Sequence, residues 1–468
     1  MLFSSMTFLF VFMPLVMAVY FLSKKEIRNY VLLIASIIFY AWGEPRYLAI
    51  MIITILVNYA GAILLDKHYS SRQRLWIVSL TIVLDLSFLF YFKYFNFVVD
   101  NINGVLATDF QLLDIIMPIG ISFYTFQAMS YLIDVYRREV PAQKDVYKLA
   151  LYIVLFPQLV AGPIVKYHDV CEQIDNRTIE FKNVIIGFKR FITGLAKKVL
   201  IANTLAEVVD KIFAQAPENL TTGVSWLGAV AYCLQLYYDF SGYSDMAIGL
   251  GLMFGFRFLE NFNYPYISKS ITEFWRRWHI SLGTWFKLYL YIPLGGNRKG
   301  AVRTYWNLFA VFLVTGIWHG AAWSYVAWGI WNGIFIVIER FFGLDKDKND
   351  RWYVSAAKHV YAFFAIVWGM IIFRAESLSY AYEYICRMLH IDVTKHLPDY
   401  DYGVNNKFAI MLIVGLICAM PVCRNLIYIK YEHKVQRTLV NIWLFLLFFW
   451  STISLAASTY NPFIYFRF

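Results

Sequence analysis

Apolar stretches of bilayer-spanning length recur along this chain, and short clusters of lysine and arginine punctuate them. A spanning helix needs about 20 predominantly apolar residues, so the alternation reads as a set of membrane helices joined by basic loops. Composition agrees: 60% of the 468 residues are hydrophobic and 16% charged, against about 25% charged in a soluble protein. The fold expected is an all-α polytopic membrane protein. The net charge of +11 does not signal nucleic acid, because the cations sit between apolar runs in the positive-inside pattern. Some of them can meet acidic headgroups, so membrane lipids are expected partners and nucleic acid is not.

Residues 1–22 are apolar, with no basic segment before them and Lys24-Lys25 behind. That is the reverse of a cleaved signal peptide, and the stretch reads as a first spanning helix with its N-terminus outside. Lys24-Lys25-Glu26-Ile27-Arg28 is placed in the cytoplasm. Residues 30–42 run outward to Gly43-Glu44-Pro45-Arg46, and 47–65 return to Lys67, Arg72 and Arg74. Residues 75–93 exit, 94–114 form an outer connection with Asp100, Asp109 and Asp114, and 115–136 return to Arg137-Arg138. Each basic loop falls on the same side.

The middle is less regular. The stretch 149–165 ends in Phe156-Pro157-Gln158-Leu159-Val160-Ala161-Gly162-Pro163. Two prolines and a glycine there predict a broken or re-entrant element, which survives at membrane depth only when protein or a wet cavity covers it. A helix over 184–206 carries Lys189, Arg190, Lys197 and Lys198 and is placed near the cytoplasmic surface, being too basic to face lipid. Residues 226–258 are apolar but interrupted by Asp239, Gly242 and Asp245. Residues 271–303 read as a cytoplasmic interfacial helix followed by a Gly-Gly-Asn turn. Residues 304–320 enter the membrane and 321–342 leave it; 343–358, with Asp345 through Arg351, is an inner linker. Residues 359–373 go out to an outer segment 374–406, 407–423 return to Arg424 and Lys430, and 437–457 exit again. The total is roughly 11 to 13 membrane segments, with boundaries good to a few residues. No internal repeat or low-complexity tract interrupts residues 1–468, which read as one domain.

The five cysteines, Cys171, Cys233, Cys386, Cys418 and Cys423, are odd in number and lack Cys-x-x-Cys or Cys/His spacing. Neither a disulfide framework nor a metal site is indicated. The sequons at Asn176 and Asn219 carry little meaning without a secretory context.

His319 is the leading candidate for chemistry. It lies in Thr315-Gly316-Ile317-Trp318-His319-Gly320-Ala321-Ala322-Trp323, within a long apolar stretch. An ionisable group at membrane depth is costly and by default marks function, and imidazole titrates near neutrality. Gly316 and Gly320 permit close approach of a helix or a substrate, while Trp318 and Trp323 supply flat apolar walls. The bland alternative is a histidine donating to a backbone carbonyl in a packed bundle. His279 is second, in Trp275-Arg276-Arg277-Trp278-His279. If 272–288 is helical, Trp275 and His279 share a face and Arg276 and Arg277 point elsewhere, toward headgroups; an interfacial histidine on a basic amphipathic helix is the equal alternative. The run Gln235 through Asp245 places Tyr238, Asp239 and Asp245 in an apolar segment, where a carboxylate must be paired, protonated or metal-bound. Such a carboxylate could orient a histidine as in a triad or pair with an arginine for structure, and the structural role is favoured. Asp85 and Asp134 are read as buried hydrogen-bonding groups.

Taken in order, several motifs are similar to one known family. They are Ile38-Phe39-Tyr40-Ala41-Trp42-Gly43, Gln158 through Pro163, Tyr238-Asp239-Phe240-Ser241-Gly242-Tyr243-Ser244-Asp245, Trp275-Arg276-Arg277-Trp278-His279-Ile280-Ser281-Leu282, Tyr289 through Asn297, Gly316-Ile317-Trp318-His319-Gly320 and Tyr460-Asn461-Pro462-Phe463. Together they resemble the bacterial branch of the membrane-bound O-acyltransferases, nearest to the alginate and peptidoglycan O-acetyltransferases, over nearly the whole chain. The resemblance implies a ring of tilted helices around a thin core with a funnel or tunnel, in the bacterial cytoplasmic (inner) membrane. It implies His319 as the essential histidine and His279 as the second of the pattern. Trp275, Trp318, Tyr238, Asp239, Arg276, Arg277 and Asn297 become candidates for holding substrate.

The implied activity is acyl transfer, most simply of acetyl, with no bound cofactor. The donor would be a cytoplasmic thioester, acetyl-CoA or an acyl-carrier protein, and the acceptor an extracytoplasmic polysaccharide reached through an exported SGNH-type partner. His319 can serve as general base or accept the acyl group itself, and the cations of 276–303 can attract donor phosphates. A D-alanyl transferase for teichoic acid with a carrier-protein donor, and a phospholipid or sterol acyltransferase, are alternatives within the same chemistry. A transporter or flippase of lipid-linked sugar is the alternative outside it, for which repeated halves would speak.

Overall fold

A computed structural model describes the chain except residues 68–69, 161, 345–349, 391–399, 424–433, 459 and 465–468. The charged linker residues 345–349, Ala161 and the loop cations Arg424 and Lys430 therefore lie outside the described residues. Every regular element among the described residues is helical. Four helices have the length and apolarity to cross a bilayer: Pro45–Lys67, Ser71–Leu106, Trp352–Arg374 and Val435–Ala457. Phe8–Leu22 and Asn406–Cys418 are shorter apolar helices. The remaining helices of the expected set are shorter or more polar than that measure requires. The backbone contacts divide the chain into two compact units, Met1–Phe191 with Ser244–Leu259, and Ile192–Tyr243 with Glu260–Phe468.

In the first unit, helices α1 (Arg28–Ala41), α2 (Leu48–Lys67), α3 (Ser71–Leu89), α4 (Ile121–Arg137) and α5 (Val146–Val154) form the body. α4 packs on α2 and α3, and α5 packs on α1 and α2. Ser70 caps α3 by accepting from Gln73 N at 3.3 Å. Arg74 then donates to the carbonyls of Leu65, Val135 and Tyr136, which closes the exposed ends of α2 and α4. Asp85 accepts from Asn58 Nδ2 at 2.9 and 3.0 Å, the buried hydrogen bond expected of it. The helix that begins at α3 does not stop near residue 93. It runs on through a π-turn at Phe90–Tyr94 into Phe95–Leu106, so much of the outer connection expected over 94–114 is helical. Asp100 of the expected outer connection lies on this helix.

The broken element is present. α5 stops at Val154, and a short helix, Phe156–Leu159, follows. Its residues are all buried, so protein covers the irregular backbone. Phe156 N donates to Ser36 Oγ at 3.0 Å, replacing a helical partner that the break removes.

Asp239, Gly242 and Asp245 do not interrupt their segment. Helix α6 (Thr222–Met253) is continuous over 32 residues, about 48 Å at 1.5 Å per residue, and contributes residues to both units. Both carboxylates on it have a partner that makes burial tolerable. Within the first unit Asp245 meets Arg190 at 2.9 Å. Within the second, Asp239 meets Lys198 at 2.7 Å, and Gly242 leaves room for the carbonyl of Gly194. Arg190 and Lys198 are correspondingly buried. The basic helix therefore does not spend these two cations on a cytoplasmic surface; it spends them on carboxylates.

The second unit is completed by α7 (Ile271–Arg277), α8 (Ala301–His319), α9 (Trp323–Phe342) and α10 (Trp352–Arg374). α8 and α9 form a close hairpin, and α9 packs on α10 and α7. Between α7 and α8 the chain makes the expected glycine turn, with Gly295 at φ 108° and Gly296 at φ 55°, a conformation that glycine adopts without strain. Residues 272–288 are not one helix. α7 ends at Arg277, His279 takes φ 46°, and a new helix starts at Ile280. Asn261, distant in sequence, supplies the reason: its carbonyl accepts from Ile280 N at 3.0 Å, and its Oδ1 accepts from Ser281 N at 3.1 Å. Trp275 and His279 consequently do not share a helical face.

Candidate active site

His319 is the last residue of α8, and Gly320 turns the chain out in extended form. A Cβ at 320 would fall 2.1 Å from the Tyr325 ring, so that ring would have to shift to admit a side chain. The imidazole is 6% exposed. It meets Trp318, Trp328 and Phe373 edge to face, with centroids 4.9, 5.0 and 5.1 Å away. Leu236, Phe240, Trp278, His319, Trp328, Met370 and Phe373 line a partly open cavity of about 20 Å³. Among the described residues that line it, His319 is the only titratable side chain, so the wall is apolar apart from one imidazole.

His279 lies behind another wall of the same chamber. Its ring meets Phe240 at 4.6 Å, nearly perpendicular, and Trp278, its chain neighbour, lines the cavity. Nδ1 of His279 lies 3.2 Å from Asn261 Oδ1. That oxygen also accepts from Ser281 N and Ser281 Oγ, which identifies it as the amide's oxygen and makes Nδ1 a donor. The lone pair of the neutral ring is then on Nε2. Burial pushes the pKa of His279 down to about 3, so the ring is neutral across the physiological range.

α7 and α9 brace the chamber. Trp275 Nε1 donates to Asn332 Oδ1 at 3.0 Å, and its ring meets Trp328 at 5.4 Å. One further turn along α9 and beyond, Glu339 accepts from Ile271 N at 2.5 Å, Thr272 N at 2.8 Å and Tyr361 OH at 3.0 Å. A carboxylate on the first N–H groups of a helix satisfies otherwise orphaned donors and complements the helix dipole. Trp328, Asn332 and Glu339 thus form one stripe of α9 that fixes α7, the segment leading into Trp278 and His279.

The structure brings together His319, His279, Trp318 and Trp275 from among the residues singled out in the sequence. It places the others elsewhere. Tyr238 donates to Gly415 O at 2.6 Å. Asp239 is held by Lys198 and by Ile464 N at 2.8 Å, a structural pairing with a lysine rather than an arginine. Arg277 bonds Glu273 at 2.8 Å and Asn263 O at 3.2 Å. Arg276 and Asn297 are exposed and do not line the chamber. Sequence reasoning missed Leu236, Trp328, Met370 and Phe373, which look like any apolar residue of a span. It also missed Asn261 and Glu339. Glu339 did carry a signal, being a carboxylate within the apolar run 321–342.

The model of the membrane-bound O-acyltransferase family matches residues 37–375. The chain is 42% identical to the probable alginate O-acetylase of Pseudomonas putida, with 100% of both chains covered. It is 48% identical to the corresponding protein of Pseudomonas aeruginosa over 82% of this chain and 74% of that one. It is 32% identical to the peptidoglycan O-acetyltransferase of Helicobacter pylori over 93% and 89%. A titratable imidazole in the wall of an apolar chamber fits what these similarities indicate: the chain belongs to the membrane-bound O-acyltransferase family and is an O-acyltransferase.

Proposed function

We propose that this protein takes an acetyl group from a cytoplasmic thioester and delivers it for O-acetylation of an extracytoplasmic polysaccharide, through an exported SGNH-type partner. Residues 1–468 act as one membrane-embedded domain, and the family match from 37 to 375 running through both compact units supports that. The observation that carries the chemistry is His319, a nearly buried imidazole and the one titratable group among the described residues that line the aromatic chamber. In the proposed step His319 takes the proton of the attacking hydroxyl. The new C–O bond forms at the acyl carbonyl, the C–S bond breaks, and the imidazolium returns the proton to the leaving thiolate. His279, held neutral with its lone pair on Nε2, is the second histidine of the site. Trp318 packs on His319 and Trp275 on Trp328, and the exposed Arg276, with Arg277 and Asn297, meets the anionic donor at the cytoplasmic face. A ring of tilted helices around a thin core accommodates such a reaction, because neither a charged donor nor a sugar crosses lipid.

The test is sided. The protein is reconstituted in vesicles with labelled acetyl-CoA on one face and a soluble SGNH-type partner with a uronate polysaccharide on the other. Acetylated polymer on the partner's side supports the reading. Label that never leaves the donor side contradicts it, and transfer from a D-alanyl-loaded carrier in place of acetyl-CoA would move the assignment to D-alanylation.

A further inference from the structure

The consecutive residues Asn261, Phe262 and Asn263, in the stretch between α6 and α7, act as a template for the turn at His279. On the backbone, Ile280 N donates to Asn261 O at 3.0 Å and Asn263 N donates to Arg277 O at 2.9 Å, so the template grips the chain on both sides of Trp278 and His279. Phe262 reaches two rings of the chamber wall, Phe240 at 5.0 Å and Trp278 at 5.1 Å. The grip holds His279 at φ 46°, a left-handed conformation that is uncommon for a non-glycine residue and that recurs at active sites. The side chain of Asn261 adds a second restraint. It is 1% exposed, as is His279, and its Oδ1 lies 3.2 Å from His279 Nδ1, 3.1 Å from Ser281 N and 2.9 Å from Ser281 Oγ. An amide oxygen only accepts. With the ring proton on Nε2, two lone pairs would face each other across 3.2 Å in a buried site, where such a contact is expensive. A competing arrangement stands beside it: Ser281 Oγ is 3.5 Å from Nδ1 and would donate to it once the amide oxygen is gone, moving the ring proton to Nε2.

Resting on the acyl-transfer reading, we propose that Asn261 is a positioning residue for the reaction: through Oδ1 it fixes His279 as the Nδ1–H tautomer and makes Nε2 a hydrogen-bond acceptor. The ring then serves transfer by accepting a hydrogen bond and does not donate one to a developing oxyanion. Triads work on the same principle, in which a buried acceptor on Nδ1–H sets what Nε2 can do. Asn261 acts through His279 and through the Trp278 wall, since it does not itself line the chamber. An amide does this without charge. A carboxylate would accept from the same donors but would favour the imidazolium, whose two nitrogens both donate.

The test uses the full chain in nanodiscs with histidine isotopically labelled at the ring nitrogens. Solid-state NMR reads which nitrogen of His279 carries the proton, and His279→Gln assigns the signal by its loss. Wild type should show a protonated Nδ1 and an unprotonated Nε2. Asn261→Leu should exchange the two, with Ser281 Oγ donating to Nδ1. Its kcat for acetyl transfer should fall by about 100-fold, the low end of what an acid–base group contributes, while donor KM changes far less. The backbone carbonyl that accepts from Ile280 N is kept in that variant. Two further variants separate positioning from folding. Ser281→Ala removes a neighbouring hydrogen bond of the same cluster, and Asn261→Asp keeps an acceptor for every donor on Oδ1; both should leave the proton on Nδ1. A proton on Nε2 in the wild type, or wild-type kcat in folded Asn261→Leu protein, would overturn the proposal. A fixed Nδ1–H tautomer in a wild type that transfers no acetyl group would sink the functional reading instead and leave the tautomer assignment standing.

Discussion

Gly316 offers the sharpest mechanical test of how the chamber is held. A Cβ at this position would lie 2.4 Å from Tyr325 O, 2.9 Å from Gly329 Cα and 3.0 Å from Gly329 N, where ordinary contact begins at 3.4 Å. All three neighbours are backbone of α9 and its entry, so no side chain can swing aside. Gly316→Ala must therefore drive α8 and α9 apart by about 1 Å, at an over-packing cost of about 1–3 kcal/mol. His319 sits one turn further along α8, and Trp328, which meets it at 5.0 Å, rides on α9. A displacement of about 1 Å between reacting groups can cost on the order of 100-fold in rate. The expected result is a fall of kcat by about that factor with a much smaller change in donor KM, and a modest drop in Tm. Gly329→Ala, whose Cβ would meet Phe312 O at 2.6 Å, should act the same way. Gly104→Ala is the control, since nothing lies within 4 Å of its Cβ. Steady-state kinetics with acetyl-CoA in nanodiscs decide the matter: wild-type kcat in Gly316→Ala would refute the claim that this hairpin positions His319.

Other perturbations follow from the same contacts. Glu339→Ala leaves the buried Ile271 N–H and the half-buried Thr272 N–H without an acceptor, at about 1–3 kcal/mol for the buried one, and should lower Tm clearly; Glu339→Gln keeps one acceptor and should fall between. Lys198→Met strands the buried Asp239 carboxylate and should destabilise by about 3–5 kcal/mol, while Lys198→Met with Asp239→Leu should recover most of that in denaturation experiments. His279 has its folded pKa pushed down to about 3, below the ordinary value near 6.5. Its contribution to stability is therefore present above about pH 6.5 and is lost as pH falls toward about 3. Tm should decline over that window in the wild type, and His279→Gln should flatten the decline; an identical slope in both would contradict the assigned neutrality.

Much of this was legible because membranes punish polarity. His319 stood out as an ionisable group in an apolar run, and the proline-glycine break at 156–163 announced itself the same way. The single helix over 272–288 failed because the signal that breaks it, Asn261, comes from a separate segment that no local periodicity registers. The supposed interruptions at Asp239 and Asp245 failed for a related reason: Lys198 and Arg190, far away in sequence, neutralise them, and the helix continues. Trp328, Met370 and Phe373 were invisible because a lining residue and a lipid-facing residue have the same chemistry until the fold assigns their faces. The number of spanning segments behaved likewise, since α8 and α9 are shorter and more polar than free-standing spans and gain their stability from each other.

The central claim rests on one imidazole. The direct measurement is single-turnover acetyl transfer by His319→Gln, a variant that keeps a planar polar side chain, compared with wild type at matched Tm and matched donor binding. The account predicts that transfer falls by at least about 100-fold, the scale of a lost general base, while the donor still binds. Transfer at the wild-type rate in a folded, donor-binding His319→Gln protein would contradict it.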